Sequence, residues 1–217
     1  MNQPKVILVV MDGWGYSATK EGNAIALATL PTFNTLWAIC PHTLLRAFGQ
    51  NVGLPWGATG SSEVGHKSIG SGKRISQEIA EIDKEINSDK FFKNKHLISF
   101  LEKSKVNKHP IHLVGLVSNG GVHSHTDHIL AILEFLKAEE YKGQIYLHAI
   151  TDGRDTDPKA AQKFFDMVDG KVKLLGLDCK IATVCGRYFT MDRNNRWDRT
   201  RKGYLLLTEG TGEEVSS

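Results

Sequence analysis

What most constrains this chain is a pattern that begins at Ile111: an apolar run, a glycine-rich loop and a helical stretch, followed by the same again. Ile111–Val117 is apolar, residues 118–128 are polar and glycine-rich, and residues 129–138 have helical character. Residues 144–150 form the next apolar run, Thr151-Asp-Gly-Arg-Asp155 the next loop, and residues 158–168 the next helix. Residues 180–184 are a further strand, leading into residues 185–193. Such alternation predicts an α/β fold with parallel sheets flanked by helices, and it collects the functional loops on one edge.

Residues 5–11 are continuously apolar and β-branched, as expected of a parallel strand covered on both faces, and they end in Asp12-Gly-Trp-Gly15. Ligands in open α/β sheets bind beyond the carboxyl ends of strands. Asp12 is therefore a metal-ligand candidate, with a turn-forming Asp-Gly as the plain alternative. Residues 23–28 and 31–38 read as short helices, and residues 43–47 as a second strand. Isoleucines at helical spacing predict an amphipathic helix over residues 75–86, and residues 97–103 continue the helical character.

Between these parts lies the stretch from Gly57 to Gly72, which reads as a glycine-rich loop feeding a helix. Backbone N–H groups at such a helix start favour an anion beside Ser61 or Ser62, although a serine cap with Glu63 in the first turn needs no chemistry. A phosphate-binding P-loop is excluded, because Gly65 to Gly70 is followed by Ser71 and Gly72-Lys73 by Arg74. Gly70-Ser-Gly72 lacks the third glycine of a dinucleotide fingerprint.

Cys40, Cys179 and Cys185 are odd in number and form no Cys-x-x-Cys pair, which argues against a disulfide framework and against structural zinc. With no apolar run of membrane-spanning length and no signal-peptide pattern, the expectation is a cytoplasmic protein without a membrane partner. A net charge of +3, spread along the chain, disfavours nucleic acid and suits a small anionic substrate. Arg154, Arg187 and Arg193 follow predicted strands, where planar guanidinium groups can grip a phosphorylated carboxylic acid; taken singly, each also fits a surface salt bridge. His123-Ser-His-Thr-Asp-His128 matches the zinc motif of metallo-β-lactamase-like hydrolases. Only His148 follows it, so the match is read as coincidence.

Several motifs occur in a recognisable order: Asp12-Gly-Trp-Gly, Gly22-Asn-Ala-Ile-Ala, Pro41-His-Thr-Leu-Leu, Ser62-Glu-Val-Gly-His66, Gly120-Gly-Val-His-Ser-His125, Asp152-Gly-Arg-Asp155, Gly186-Arg-Tyr, Met191-Asp-Arg193 and Arg196-Trp-Asp-Arg199. With these the chain resembles, over essentially its whole length, the cofactor-independent phosphoglycerate mutases of the alkaline-phosphatase-like superfamily. The resemblance implies interconversion of 3-phosphoglycerate and 2-phosphoglycerate in glycolysis and gluconeogenesis, through a phosphoserine on Ser62 and with two Mn²⁺ or Mg²⁺ ions. It also implies that Asp12 and Ser62 bind one metal and that His123, Arg154, Asp155, Arg187 and Arg193 hold substrate.

Departures from the family pattern are Gly60-Ser61-Ser62 in place of Gly-Asn-Ser, Asn119 in place of an Asp, and length, since family members run to more than twice 217 residues. By resemblance, residues 1–74 are the first part of a phosphatase-like metal-binding domain and residues 75–217 an incomplete inserted transferase domain. The remaining metal ligands then lie outside this chain, and the full-length protein is expected to be a monomer. The alternatives are an inactive or binding-only N-terminal piece, or a related metal-dependent phosphohydrolase.

Overall fold

A computed structural model describes residues 5–54, 58 and 60–215, so Gly57 and Thr59, at the start of the glycine-rich stretch, lie outside the described residues. Helix α1 (Ala24–Leu27) is capped by Asn23, whose side chain accepts the Ala26 N–H at 3.1 Å. Helix α2 (Pro31–Ile39) starts on a proline, whose missing N–H would be unpaired there in any case. Helix α3 (Ser62–Ser71) follows the glycine-rich loop as expected, with Ser61 at its N-cap position and Gly72 closing it at φ 66°.

Two sequence expectations fail in this part. Residues 5–11 and 43–47 form no strand, and the first run is bare, with Val6 and Ile7 each 87% exposed and Leu8 69%. The reason is physical: apolar, β-branched sequence marks a segment that suits a covered sheet, but a strand exists only when a neighbour takes up its backbone hydrogen bonds. Among the described residues these runs have no such neighbour. Asp12 accordingly sits in a turn, where the Trp14 N–H meets the Met11 carbonyl at 3.2 Å, and not at a strand's end.

The junction near residue 74 is closely fitted. Arg74 donates to the Gln50 carbonyl at 3.0 Å, and the Gln77 N–H donates to the Gly53 carbonyl at 2.9 Å. Gly53 has φ 80°, and a Cβ there would lie 1.9 Å from the Ile75 carbonyl oxygen, so only glycine fits.

Helix α4 (Glu78–Asn87) and helix α5 (Lys95–Asn107) come next, the latter capped by Asn94, which accepts from the N–H groups of His96 and Leu97. Strand β1 (Ile111–Val117), helix α6 (Thr126–Ala138), strand β2 (Ile145–Thr151), helix α7 (Ala161–Leu175) and strand β3 (Cys179–Gly186) complete two strand–helix–strand crossovers. The strands form one parallel sheet in the order β1-β2-β3. Ile111 lies beside Ile145 and Ile145 beside Cys179, thirty-four positions on in each case. The β2–β3 register then slips by one residue between Leu147 and His148, which leaves Ala182 as an extra residue in β3.

The core lies on one face of this sheet, where Ile145, Leu147 and Ala149 meet Leu133 and Phe135 of α6, Phe164 and Val168 of α7, and Leu101 of α5. Burying each of the larger side chains contributes about 1.5–3 kcal/mol. On the other face a polar line crosses the strands: Thr183 to His148 at 2.9 Å, and His148 to His112 at 2.9 Å. Burial and the neighbouring His112 hold the His148 pKa below its ordinary value.

Past β3 the chain turns into a short helix α8 (Arg187–Thr190) and then helix α9 (Trp197–Glu209), which packs on α8 and β3. Gly203 makes this approach possible, since a Cβ there would come within 2.7 Å of the Thr190 methyl.

Candidate functional site

The carboxyl ends of the three strands supply the best-organised polar cluster. Val117, Thr151 and Gly186 form the last rung of the sheet, so the next residues, Ser118, Asp152 and Arg187, stand in a row. Ser118 donates to Asp152 Oδ2 at 2.6 Å, and Arg187 Nη1 donates to Asp152 Oδ1 at 2.9 Å and to Asp155 Oδ2 at 2.6 Å. The N–H groups of Arg154 and Asp155 also meet Asp152 Oδ1, each at 3.0 Å. Gly120 lies against this cluster, where a Cβ would be 2.9 Å from the Asp155 Cβ and 3.3 Å from Asp152 Oδ2.

The side chain of Asp152 is only 2% exposed, and that of Arg187 11%. Burial alone would raise the Asp152 pKa, but the Ser118 hydroxyl, the two backbone N–H groups and Arg187 outweigh it and bring it down to about 2. For Arg187, burial opposes the charge while Asp155 and Asp152 favour it more strongly, so its pKa rises.

His123 reaches this cluster through Asp155, with Nε2 3.8 Å from Oδ2. Arg154 presents its side chain to solvent and joins through its backbone N–H. Arg187 is the first residue of α8 and so not on a plain loop, whereas Arg193 lies on the loop between α8 and α9. A cleft of about 860 Å³ runs between α3, α4 and the loop after β1, and His123, Arg193, Ser61, Glu63 and Lys67 are among its lining residues. Arg187 and Asp155 sit behind His123 and are not part of this lining.

On the other side, the Ser62 hydroxyl donates to Asp12 Oδ2 at 2.7 Å, and both residues are exposed. Ser61, the rival hydroxyl, faces the cleft and makes no side-chain cap bond. A carboxylate and a hydroxyl in contact offer oxygen donors of the kind that hard divalent cations take. The two supply only part of a ligand set: among the described residues no group of three or more His, Cys, Asp or Glu side chains converges.

The zinc-like histidine tract divides into separate tasks. His125 caps α6 by accepting the Asp127 N–H at 3.2 Å, His128 pairs with Asp83 of α4 at 2.7 Å, and His123 faces Asp155. Sequence reading did not single out Ser118 or Asp152. The signal was available, since Asp152 closes a strand that ends in Asp-Gly, the same reasoning that drew attention to Asp12.

A family model described as the BPG-independent PGAM N-terminus (iPGM_N) matches residues 82–217. The chain belongs to this family. Among its relatives, the 2,3-bisphosphoglycerate-independent phosphoglycerate mutase of Clostridium perfringens is 45% identical over 217 residues, covering 100% of this chain and 42% of that protein. The enzyme of the same name from Gracilaria tenuistipitata var. liui is 46% identical over 206 residues, covering 95% of this chain and 40% of that protein. The chain thus spans about two fifths of the length of the curated relatives it matches. Among solved structures, Leishmania mexicana phosphoglycerate mutase, crystallised at low cobalt concentration, superposes with a TM-score of 0.72 at 31% identity. That superposition covers 83% of this chain and 34% of the other. The α/β fold with a parallel sheet flanked by helices is therefore shared with a phosphoglycerate mutase of known structure. No described helix is long and apolar enough to cross a membrane.

Proposed function

We propose that this chain is the N-terminal portion of a phosphoglycerate mutase that interconverts 3-phosphoglycerate and 2-phosphoglycerate, within glycolysis and gluconeogenesis in the cytoplasm. The observation that carries the reading is the 2.7 Å contact between the Ser62 hydroxyl and Asp12. It gives a serine at a helix start an adjacent carboxylate, the pairing a phosphoryl acceptor needs. Residues 1–74 are read as the first part of the metal-binding domain and residues 75–217 as part of the transferase domain. The partner is a small molecule, with no nucleic acid and no membrane, and the whole protein is read as a monomer.

In this reading Asp12 and Ser62 would hold one of two divalent ions, Mn²⁺ or Mg²⁺, whose chemistry lowers the hydroxyl pKa and neutralises phosphoryl charge. Ser62 Oγ forms a bond to phosphorus as the bond to glycerate oxygen breaks, and the other glycerate hydroxyl later takes the phosphoryl group back. Arg154, Arg187, Arg193 and His123 grip phosphate and carboxylate, while Asp155 holds Arg187 and faces His123. The guanidinium groups offer planar donors to an anionic substrate, with the charge of Arg187 already balanced by Asp152 and Asp155.

The test is a coupled mutase assay with Mn²⁺ on the 217-residue chain and on a version extended to the length of its relatives, followed by mapping of trapped phosphate. Turnover by the extended protein, with phosphate on Ser62, is expected. Turnover without any phosphoserine, or phosphate on Ser61, overturns the assignment.

A further inference from the structure

Three strands end in a row of Ser118, Asp152 and Arg187, and one carboxylate joins them. Asp152 receives four donors: the Ser118 hydroxyl on one oxygen, and Arg187 Nη1 with the N–H groups of Arg154 and Asp155 on the other. Ser118 is fully buried and spends its own acceptor capacity on the Gly120 N–H at 3.0 Å. Asp152 is enclosed, lies behind the cleft and has its known donors all on the protein, so it has no reason to meet an anion itself. Arg187, in contrast, is engaged through Nη1 alone among the described residues, which leaves Nη2 and Nε as donors.

We infer that Asp152, locked by Ser118, is a positioning residue that sets the Arg187 guanidinium and the Arg154–Asp155 backbone in one fixed arrangement for an anionic ligand. This inference rests on the reading of Arg187 as a phosphoglycerate ligand. A guanidinium pinned at one nitrogen by two carboxylates has lost most of its rotational freedom before any ligand arrives, so its remaining donors bind without the entropy cost of ordering a long side chain. The Ser118 bond matters because it fixes the second carboxylate oxygen, and with it the plane in which the first one faces Arg187.

The first experiment needs no ligand. In the 217-residue chain, side-chain ¹⁵N NMR of Arg187 should show slow rotation about the Cζ–Nη bonds, and Ser118→Ala should speed it about tenfold, the loss of roughly one hydrogen bond. Unchanged rotation in Ser118→Ala overturns the inference. The second experiment titrates 3-phosphoglycerate into the extended protein carrying Arg187→Ala, Asp152→Asn, or both, with melting curves to confirm folding. Asp152→Asn should weaken binding about tenfold alone and clearly less than tenfold in the Arg187→Ala background, where only the Arg154–Asp155 backbone is left for it to position. Full additivity of the two losses, or no loss in Asp152→Asn while Arg187→Ala weakens binding, overturns the positioning role. Unchanged binding in Arg187→Ala instead overturns the reading of Arg187 as a ligand, while the rotation result still decides whether Asp152 positions it.

Discussion

Ser62 donates its hydroxyl hydrogen to Asp12 at 2.7 Å across fifty positions of chain, joining the start of α3 to a turn near the N-terminus. Neither residue is held by burial, so the contact is maintained by the hydrogen bond and the local turns around it. In the extended protein, Ser62→Ala should abolish mutase turnover and Ser61→Ala should leave it within a few-fold. Asp12→Asn should weaken Mn²⁺ binding by at least about tenfold, read by calorimetry, since a neutral amide replaces an anionic ligand.

Arg187 bonds two carboxylates at once, which an ammonium cannot do with the same planar fork. Arg187→Ala should lower the affinity for 3-phosphoglycerate by about 1.5–3 kcal/mol, and Arg187→Lys should not restore it. It should also destabilise the chain, because Asp152 and Asp155 would face each other without a cation. Unchanged KM and an unchanged urea midpoint in Arg187→Ala would show that the guanidinium does neither task.

The depressed Asp152 pKa carries a definite pH dependence. The folded value of about 2 lies below the ordinary 3.8, so the ionised form is favoured by folding, and this stabilisation is complete above 3.8 and lost as pH falls through about 2. It is worth about 2–2.5 kcal/mol. Urea unfolding of wild type should therefore weaken between pH 5 and pH 2.5 more steeply than that of Asp152→Asn. Parallel curves for the two proteins would assign the acid sensitivity elsewhere.

The cysteines should react in a fixed order. Burial, with help from the neighbouring Asp178, pushes the Cys179 thiol up to about 11, and burial also raises Cys185. Cys40 is exposed. Because the thiolate is the reactive form, iodoacetamide at pH 8 should label Cys40 first and Cys179 last by peptide mass spectrometry.

Amide exchange should divide the chain. β2 is hydrogen-bonded on both sides and carries Ile145 and Leu147 in the core, so its amides should be protected to near the global unfolding limit. Residues 5–11, exposed and unpaired among the described residues, should exchange at rates close to those of an unstructured peptide. Protection there equal to that of β2 would show that this run finds a partner in solution.

The sheet was legible in the sequence because both of its crossovers are local: each strand pairs with the next one along the chain, so apolar runs and glycine-rich loops were enough to find them. β1 spans Ile111–Val117 as expected, and β2 is displaced by a single residue. Helix α6 starts at Thr126, three residues before the apolar pattern does, because the His125 cap is followed by the polar residues Thr126, Asp127 and His128. Helix α9 was missed, its apolar positions being diluted by Arg199, Arg201 and Lys202. Residues 5–11 were misread because composition reports what a segment would do if covered, not whether a neighbour covers it. At the site, Asp12 and Ser62 were legible only as motif positions, and the structure places them in contact across fifty positions of chain. Asp152 was overlooked because its work is done on Arg187 and the loop backbone, and nothing in a one-dimensional string marks a residue that serves others.

The slipped register at Ala182 has a consequence of its own. Continuing the thirty-four-residue spacing from Ser118 through Asp152 would bring Gly186, without a side chain, to the third place in the row. One additional residue in β3, absorbed as a bulge at an exposed position, delivers Arg187 there instead. A lineage that gained or lost that single codon would keep its sheet, its helices and its core, yet exchange a cation for a hydrogen atom at the point where three strands converge. Alignments of such proteins should therefore be judged at this position by whether a gap opens in the third strand, more than by the identity of the residues around it.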